Sequence, residues 1–296
     1  MPEIRLFAVP YELGGLRVGV GRGPERLLEA GAERALAQHG AEVRTEFVEL
    51  GEDRRDQSGD SEANAGFDLI RQVANRVSSA LDDGAFPVLL SGSCFNGVGM
   101  VAGLRDASRG VVWFDAHGDF NTPETAVDGY LDGMGLAIMT GGAWQGLNSE
   151  GPDAPVPETA VVLVGARSFD PPEEARLKKS KVRHLRTEEI DSDDAVVRAV
   201  GTMNPAPAGV YLHLDLDVLD VDEAPVNIYS VGGGLSAAQL EAQVRSVLEQ
   251  SPVRAFSLTA YDPECDPEAR VLPIAMRLLE IVGERVAKGP SRDLVS

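Results

Sequence analysis

Residues 111–119 read VVWFDAHGD, four apolar residues followed at once by the pattern Asp-x-His-x-Asp. A run that is apolar at every residue is typical of a strand buried on both faces, as in a parallel sheet covered by helices. Asp115, His117 and Asp119 would then follow such a strand directly. Because side chains alternate along an extended chain, we expect all three to lie on one side of it.

A second stretch, residues 212–220, reads LHLDLDVLD. Alternation places Asp215 and Asp217 on one face of this predicted strand and the leucines on the other. His213 has the same parity as the two aspartates, so it is a candidate for a place near them. A purely structural role for this histidine is the alternative.

Short apolar runs alternate with helical patterns along the rest of the chain, which predicts parallel strands joined by helical crossovers. One helix is expected to begin at Gly23-Pro24, another to span residues 64–81, and a third to follow Ser236, which has capping-box spacing to Gln239. Strands are predicted at residues 4–9, 43–50, 87–90, 111–115, 160–164, 182–185, 210–216 and 254–259. The predicted fold is α/β, with three layers (α/β/α) around a central parallel sheet of about eight strands, in a single domain of residues 1–296.

The composition narrows the class of protein. The chain has 296 residues, 43% of them hydrophobic, which is enough for a sizeable core. Its formal net charge of −20 would repel phosphates and anionic lipid heads, so no nucleic acid and no membrane is expected as a partner. The sequence has no apolar run of about 20 residues, no secretory signal pattern and only two cysteines, so we expect a cytoplasmic protein.

The aspartates at the ends of two predicted strands indicate a metal site. Binding sites in parallel α/β sheets form beyond the carboxyl ends of the strands. Carboxylates that are buried together repel one another unless a cation neutralises them. Oxygen ligands with one imidazole suit Mn²⁺, with Zn²⁺ and Fe²⁺ as alternatives. The competing interpretation is that these aspartates are solvated loop residues or helix N-caps.

Residues 115–119 and 215–220 resemble the two metal-binding signatures of the arginase/agmatinase (ureohydrolase) family. Shorter segments extend the resemblance over most of the chain, at residues 10–11, 19–26, 90–94, 164–167 and 231–236. The resemblance implies a hydrolase that cleaves a C–N bond of a small linear guanidine or amidine. Arginine-like, agmatine-like, N-hydroxyarginine-like and formimidoylglutamate-like substrates all stay open. The resemblance also implies a homo-oligomer, either a trimer or a hexamer.

The same resemblance implies a cofactor of two Mn²⁺ ions that ionise a bridging water, whose hydroxide attacks the guanidinium carbon. Asp115 and Asp215 would each contact both ions. Asp119 would complete the shell of one ion, and His117 with Asp217 would complete that of the other.

Three positions depart from the family pattern. Cys94 stands where the family has the histidine of its Gly-Gly-Asp-His turn, so it is either a metal ligand or a small side chain packed near the site. Asp132 replaces a histidine proposed as a proton shuttle, with a turn residue before Gly133 as the alternative. Asp262 aligns with the glutamate that pairs with the guanidinium, and Glu264 could compensate for its shorter side chain. A plain turn after the last strand is the alternative for Asp262.

The candidate substrate-binding residues do not all favour the same class of substrate. Asn121 matches an asparagine that contacts an amino-acid carboxylate in arginases, and Asp170 matches an aspartate that contacts the substrate amino group. Ala126 and Asp128, however, replace small hydroxyl residues, and an acid there disfavours a substrate carboxylate. A cationic amine, a modified guanidine or a formimidoyl compound therefore fits as well as arginine. The alternative function is that of a catalytically impaired relative acting as a binding or assembly module.

Overall fold

In the computed structural model, residues 1–51, 60–105, 108–127, 129–144 and 155–289 are described. The strands of these residues are β1 (Glu3–Val9), β2 (Tyr11–Glu12), β3 (Gly15–Leu16), β4 (Glu42–Phe47), β5 (Phe86–Ser91), β6 (Arg109–Phe114), β7 (Val161–Val164), β8 (Arg183–Leu185), β9 (Gly209–Asp215) and β10 (Val253–Thr259). Eight of them form one sheet, in the order β4-β1-β5-β10-β9-β6-β7-β8, and every neighbouring pair is parallel. A short antiparallel hairpin of β2 and β3 lies outside the sheet.

Helices cover both faces of the sheet. They are α1 (Gly23–Ala30), α2 (Ala32–Ala37), α3 (Asp60–Asp82), α4 (Gly97–Gly103), α5 (Gly135–Met139), α6 (Pro171–Leu177), α7 (Ala195–Val200), α8 (Ala237–Gln250) and α9 (Val271–Lys288). Within the described ranges, each helix is too short or too polar to cross a lipid bilayer.

The strand β9 shows why the sheet is buried on both sides. All seven of its residues are buried. Leu212 and Leu214 belong to the core on the face covered by α1, α2, α7, α8 and α9, whereas Tyr211 belongs to the core on the face covered by α3, α4 and α5. Neighbouring residues of one strand therefore fill opposite cores, as alternation requires. The predicted three-layer α/β/α fold is confirmed.

Each of the eight predicted strands is present, and the differences lie at their ends. The strand predicted at 43–50 stops at Phe47, and the backbone N–H of Leu50 instead donates to the Tyr11 hydroxyl at 3.0 Å. The strand predicted at 210–216 stops at Asp215, because Leu216–Val218 forms a 3-10 turn. The helix predicted from Gly23-Pro24 is present as two helices, α1 and α2, separated by the left-handed Gly31. The other two predicted helices correspond to α3 and α8, whereas α9 and the short helices α4 to α7 were not predicted.

The topology brings the carboxyl ends of β5, β10, β9 and β6 side by side in the middle of the sheet. Thr259 at the end of β10 pairs with Asp215 on one side and with Ser91 on the other. Segments far apart in sequence thus meet at one edge, and ligands of open α/β sheets bind at such an edge.

Candidate metal centre

The segment after β6 places three predicted ligands around a tight bend. Asp115 is 1% exposed, and its Oδ1 accepts the backbone N–H of His117 at 2.7 Å. The indole Nε1 of Trp113 donates to Asp115 Oδ2 at 3.0 Å. Asp119 has a left-handed backbone, with φ 45°. The predicted extended alternation is therefore wrong for this segment, because a bend and not a strand turns its side chains toward the site.

The segment after β9 brings the second signature against the first. Asp215 Oδ1 caps the 3-10 turn by accepting the N–H of Asp217 at 2.7 Å. Asp217 Oδ1 accepts the N–H of Ala116 at 3.1 Å, and its Oδ2 lies 3.3 Å from His117 Nδ1. The prediction that the two aspartates share a strand face is wrong, since Asp217 lies in the turn. Asp217 nevertheless contacts residues 116 and 117 of the first signature.

Arg167, three residues after the end of β7, holds the backbone of the turn Leu216–Val218 through hydrogen bonds. Its guanidinium donates to the backbone oxygens of Asp217 at 3.1 Å and Leu219 at 3.0 Å. It also donates to Val231 O at 2.8 Å and Gly232 O at 3.0 Å. A planar, multivalent donor suits such a cluster of carbonyls. Arg167 is thus a structural clamp that holds the backbone carrying Asp217.

Cys94 enters the centre from the end of β5. Gly92 allows this approach, because a Cβ there would lie 2.3 Å from Tyr11 O. The Cys94 sulfur lies 2.9 Å from Asp215 Oδ2 and 3.0 Å from Thr259 Oγ1. Burial, and next the charge of Asp215, raises the pKa of the Cys94 thiol well above its usual value. The side chain therefore stands among the aspartates, as a ligand at this position would.

The aspartates lie in an environment that disfavours their ionised form. Burial, followed by neighbouring carboxylates, raises the pKa of Asp119 and Asp215 well above the usual range and raises that of Asp115. Asp217 differs: burial acts to raise its pKa, but His117 and hydrogen bonds outweigh burial and lower it. Burial likewise opposes protonation of His117, yet Asp217 and Asp115 raise its pKa to about 12.

A divalent ion fits this donor set. Oδ2 of Asp119 is buried and has no hydrogen-bond partner, which is costly for a carboxylate unless a cation neutralises it. Among the described residues, one group of donors is Asp115, His117 and Asp217, and another is Cys94, Asp115 and His213; within each group the donor atoms lie within 4.8 Å of one another. Asp115 belongs to both groups, so the geometry accommodates two neighbouring ions.

A cavity of about 330 Å³ opens onto these side chains. Its lining is rich in acids and aromatic rings, and the described lining residues include no lysine or arginine. The acidic members are Asp119, Asp132, Asp170, Glu173, Asp215 and Asp217. Such a cavity favours a cation and disfavours an unpartnered anion.

Comparisons with known proteins identify the family of this chain. The sequence model of the Arginase family matches residues 2–282. The chain belongs to the arginase family. The arginase of Bacillus caldovelox is 27% identical over 97% of this chain and 100% of its own, and that of Bacillus subtilis (strain 168) is 29% identical over 96% and 98%. The solved structure of the Bacillus caldovelox arginase has a TM-score of 0.86 at 28% identity, over 99% of this chain and 100% of that chain.

Membership of the arginase family confirms the predicted recognition and the predicted enzyme class. The protein is a hydrolase of guanidino C–N bonds. The roles of single residues and the metal are not decided by this membership, and they stay predictions.

Three of the six predicted catalytic and substrate-binding residues of this arginase-family chain, Asn121, Asp132 and Asp170, lie at the cavity. Asp132 lines it, and its Oδ1 accepts the N–H of Phe95 at 2.6 Å. Burial raises the pKa of Asp132 to about 7, although backbone N–H groups act against the shift. Asn121 and Asp170 also line the cavity, with Asn121 Nδ2 donating to Asp170 Oδ2 at 3.2 Å. Asp128 lies outside the described residues.

Asp262 and Glu264 are not brought into the cavity. Asp262 Oδ1 accepts the N–H of Glu264 at 3.0 Å, and its backbone oxygen accepts the N–H of Cys265, so it closes a turn. The Glu264 side chain is 70% exposed and pairs with Arg22. In this segment it is Ala260, with φ 66°, that lines the cavity. The expectation that Asp262 or Glu264 faces the substrate therefore finds no support in the geometry, because the bend at Ala260 carries the chain past the site.

Sequence reasoning missed several residues that shape the site. Asn227 donates through Nδ2 to Asp217 Oδ2 at 3.2 Å and to Ala260 O at 2.9 Å, which ties the two loops together. Tyr229 and Tyr130 line the mouth, with ring centroids 5.7 Å apart. No spacing in the sequence signals these three, since each comes from a loop without a regular period.

Glu173, in the first turn of α6, was also missed. Its Oε1 accepts the N–H of Phe120 at 2.9 Å and its Oε2 that of Asp170 at 3.3 Å. It is 3% exposed, and burial raises its pKa from 4.5 to about 7 despite these hydrogen bonds. The side chain ties the segment after Asp119 to the start of α6.

Glu173 leads to a prediction about the pH dependence of stability. Its folded pKa lies above its unfolded pKa, so the folded state binds more protons and Glu173 costs stability as the pH rises from 4.5 to about 7. In Glu173→Gln this cost is removed. The free energy of unfolding of the variant, relative to the parent, should rise by about 1–3 kcal/mol between pH 4.5 and pH 8. Chemical denaturation at both pH values measures it.

The matched control for Glu173→Gln is Glu174→Gln, one residue along the same helix. The Glu174 side chain is 45% exposed and pairs with Lys178 at the surface. The difference in free energy of unfolding between Glu174→Gln and the parent should change little with pH. If the difference for Glu173→Gln is equally independent of pH, the assigned effect of burial on the pKa of Glu173 is contradicted.

Proposed function

We propose that this arginase-family hydrolase is metal-dependent and cleaves a C–N bond of a small linear guanidine or amidine with the help of two divalent ions, Mn²⁺ being the favoured metal. The observation that carries the proposal is the convergence of Asp115, Asp119, Asp215 and Asp217, all buried, with an unpaired oxygen on Asp119. Within the described ranges, His117 is the cationic side chain that pairs directly with these carboxylates, at Asp115 and Asp217. Oxygen donors with an imidazole suit Mn²⁺.

Two dications bound here would act as Lewis acids that make water a nucleophile near neutral pH. Asp115, His117 and Asp217 would hold one ion. Asp119 would complete the shell of the other, and Asp115 and Asp215 would each contact both. The hydrogen bonds from Trp113 to Asp115 and from Asn227 to Asp217 fix the orientation of these carboxylates. Such outer contacts are expected of a functional metal site.

The cavity favours a cationic guanidinium and leaves a substrate carboxylate poorly matched. Its acids attract positive charge, and its described lining offers no lysine or arginine to a carboxylate. Asn121 could contact a polar tail, but its amide nitrogen already donates to Asp170. We therefore favour guanidines or amidines whose tail carries an amine or no charge, over α-amino acids.

Asp132 is the candidate for carrying a proton to the departing amine. It lies on the cavity wall, close to Cys94, and its Oδ1 is oriented by the N–H of Phe95. A carboxyl group so placed can hold a proton and release it at the cavity surface.

A second candidate function is that of a catalytically impaired relative that binds a ligand without turning it over. The observation that favours it is that Ala260 lines the cavity where an acid was expected to pair with the guanidinium. The test that separates the two is a panel of guanidines and amidines, with urea, ammonia and amine release measured on protein of known metal content. Bound metal without any turnover would support the binding function.

Replacing Asp215 tests the metal proposal. In Asp215→Asn one charge of the shared cluster is lost, so bound metal should fall from two ions toward one. Activity should fall by more than about 100-fold, since even outer partners of metal ligands cost 10–100-fold. Metal content by plasma mass spectrometry and turnover measure both effects. Asp82→Asn, with a side chain that is 66% exposed, is the control. Full metal content with full activity in Asp215→Asn would overturn the proposal.

The charge of the cavity predicts the order of substrates. Agmatine, which lacks the carboxylate of arginine, should have a kcat/KM at least about tenfold higher, equivalent to about 1.4 kcal/mol. Argininamide, in which the carboxylate becomes a neutral amide, is the matched probe and should recover part of the difference. Arginine turned over faster than both would contradict the assignment.

The proposed role of Asp132 predicts a loss in kcat. Asp132→Asn keeps the acceptor for the Phe95 N–H but carries no exchangeable acidic proton, so kcat should fall by about 10²–10⁴-fold with metal content unchanged. Asp132→His, which restores a proton carrier, should retain more activity than Asp132→Asn. Equal activity of the Asn variant and the parent would remove Asp132 from the mechanism.

The trimeric or hexameric assembly and the cytoplasmic location belong to this proposal as well. Both stay predictions. Light scattering of the purified protein measures the first directly.

A further inference from the structure

His213 is a completely buried histidine beside the candidate centre, and the function proposed above does not use it. It lies on β9, two residues before Asp215. Its ring stacks on that of Trp113, with centroids 3.4 Å apart and planes inclined by 8°. Trp113 in turn donates to Asp115 Oδ2. One indole therefore fixes both the histidine ring and a carboxylate of the centre.

Hydrogen bonds define which edge of the ring faces the centre. Nδ1 of His213 lies 2.9 Å from the Tyr211 hydroxyl and 2.9 Å from the Ser257 hydroxyl. Nε2 lies 3.3 Å from Thr259 Oγ1, which is itself 3.0 Å from the Cys94 sulfur. One nitrogen is thus held by hydroxyls and the other points toward Cys94. Metal-binding histidines have this arrangement, with the second nitrogen fixed by an outer partner.

Cys94, Asp115 and His213 each place a donor atom within 4.8 Å of the others, and all three are buried. A thiol, a carboxylate and an imidazole in one cluster form a recognised set of donors for Zn²⁺. Position 94 departs from the family pattern because it has a thiol and no imidazole. The imidazole of His213, on β9, lies next to that thiol.

We propose that His213 supplies through Nε2 the imidazole ligand that position 94 lacks, so that Cys94, Asp115 and His213 together hold the ion on this side of the centre. The proposal rests on the metal centre of the proposed function. Ion binding here releases the thiol proton of Cys94 to solvent. Because sulfur is soft, this side prefers Zn²⁺ to Mn²⁺, whereas the side of His117 and Asp217 keeps hard oxygen donors.

The test measures metal binding and not activity. Metal-free protein is titrated with Zn²⁺ alone and with Mn²⁺ alone, in competition with a chromophoric chelator. The variant is His213→Phe, which keeps a ring against Trp113, while Tyr211 and Ser257 still pair with each other at 2.6 Å. We expect Zn²⁺ affinity at one of two sites to fall at least about tenfold. His39→Gln, at an exposed histidine that pairs with Glu280, should leave both sites unchanged.

A second variant separates direct ligation from an effect through the intervening hydroxyl. Thr259→Val removes the hydroxyl that bridges His213 and Cys94 but keeps the shape of the side chain. As an outer partner of Cys94, Thr259 can itself contribute about 10–100-fold to Zn²⁺ affinity, so the number of nitrogen ligands decides between the two cases. Direct ligation predicts that Zn²⁺-loaded Thr259→Val keeps the nitrogen ligands of the parent in X-ray absorption, whereas His213→Phe loses one. If His213→Phe keeps the same nitrogen ligands as the parent and Thr259→Val, His213 is not a ligand.

A double variant tests whether the imidazole ligand can be supplied from position 94 and not from β9. In Cys94→His/His213→Ala the imidazole is moved from β9 to position 94. This protein should bind two ions again and should prefer Mn²⁺ on this side more than the parent does. X-ray absorption of the Zn²⁺-loaded parent should show a sulfur ligand, and that of His213→Phe one nitrogen ligand fewer.

The outcomes distinguish this inference from the proposed function. If the parent protein binds neither Zn²⁺ nor Mn²⁺, both the proposed function and the assignment of His213 are overturned. A parent that binds two ions, with His213→Phe binding them as tightly, overturns only the assignment of His213. Thermal unfolding of the metal-free variants shows that each is folded, and the X-ray absorption of the parent decides the sulfur ligand without any substitution.

Discussion

Mutual repulsion among buried carboxylates is the constraint that governs this structure. Asp115, Asp119, Asp215 and Asp217 are at most 6% exposed and meet at the ends of β6 and β9. Carboxylates at such depth cannot all be charged without strong compensation. Asp217 obtains it from Ala116, Asn227 and His117, whereas Asp119 keeps an oxygen with no partner. Protonation, which the raised pKa values of Asp115, Asp119 and Asp215 favour, relieves the remaining repulsion, and a bound cation would relieve it while the carboxylates stay charged.

The parallel sheet makes this possible because its hydrophobic layers resist the repulsion. The residues that precede the aspartates, such as Phe114 and Leu214, are fully buried and pair across β6 and β9. Arg167 adds a second restraint by binding the carbonyls of the turn that carries Asp217. The cluster of buried aspartates is therefore held in place by the ends of β6 and β9 and by the turn that Arg167 binds. Rigid supports of this kind are what a preorganised site requires.

The sequence predicted the sheet and the metal-binding acids well, because both depend on local patterns. An apolar run such as Val111–Phe114 identifies a buried strand, and the acids follow it directly. The predictions were wrong where a turn breaks the alternation, as at Asp119 and Asp217, and they found no support at Asp262, where the left-handed bend at Ala260 changes which residue faces the cavity. Asn227 and Tyr229 could not be found, since their positions depend on a loop that has no period. The long helix α9 was not predicted, although the spacing of its buried residues Ala275, Leu278 and Val282 follows a helical period.

The departures from the family pattern gather on one side of the centre. Cys94 follows β5, and Asp132 accepts the N–H of the next residue, Phe95. The segment that carries Asp262 joins the end of the same strand, because the N–H of Ala260 donates to the backbone oxygens of Ser91 and Gly92. The side formed by β6 and β9 keeps four aspartates and His117. The candidate metal ligands of the two signatures are therefore retained where the signatures meet, and the changes fall where β5 and β10 border the cavity. A change confined to that border alters which molecule and which ion fit there while leaving the hydrolytic side intact, and this favours a shifted specificity over a lost activity.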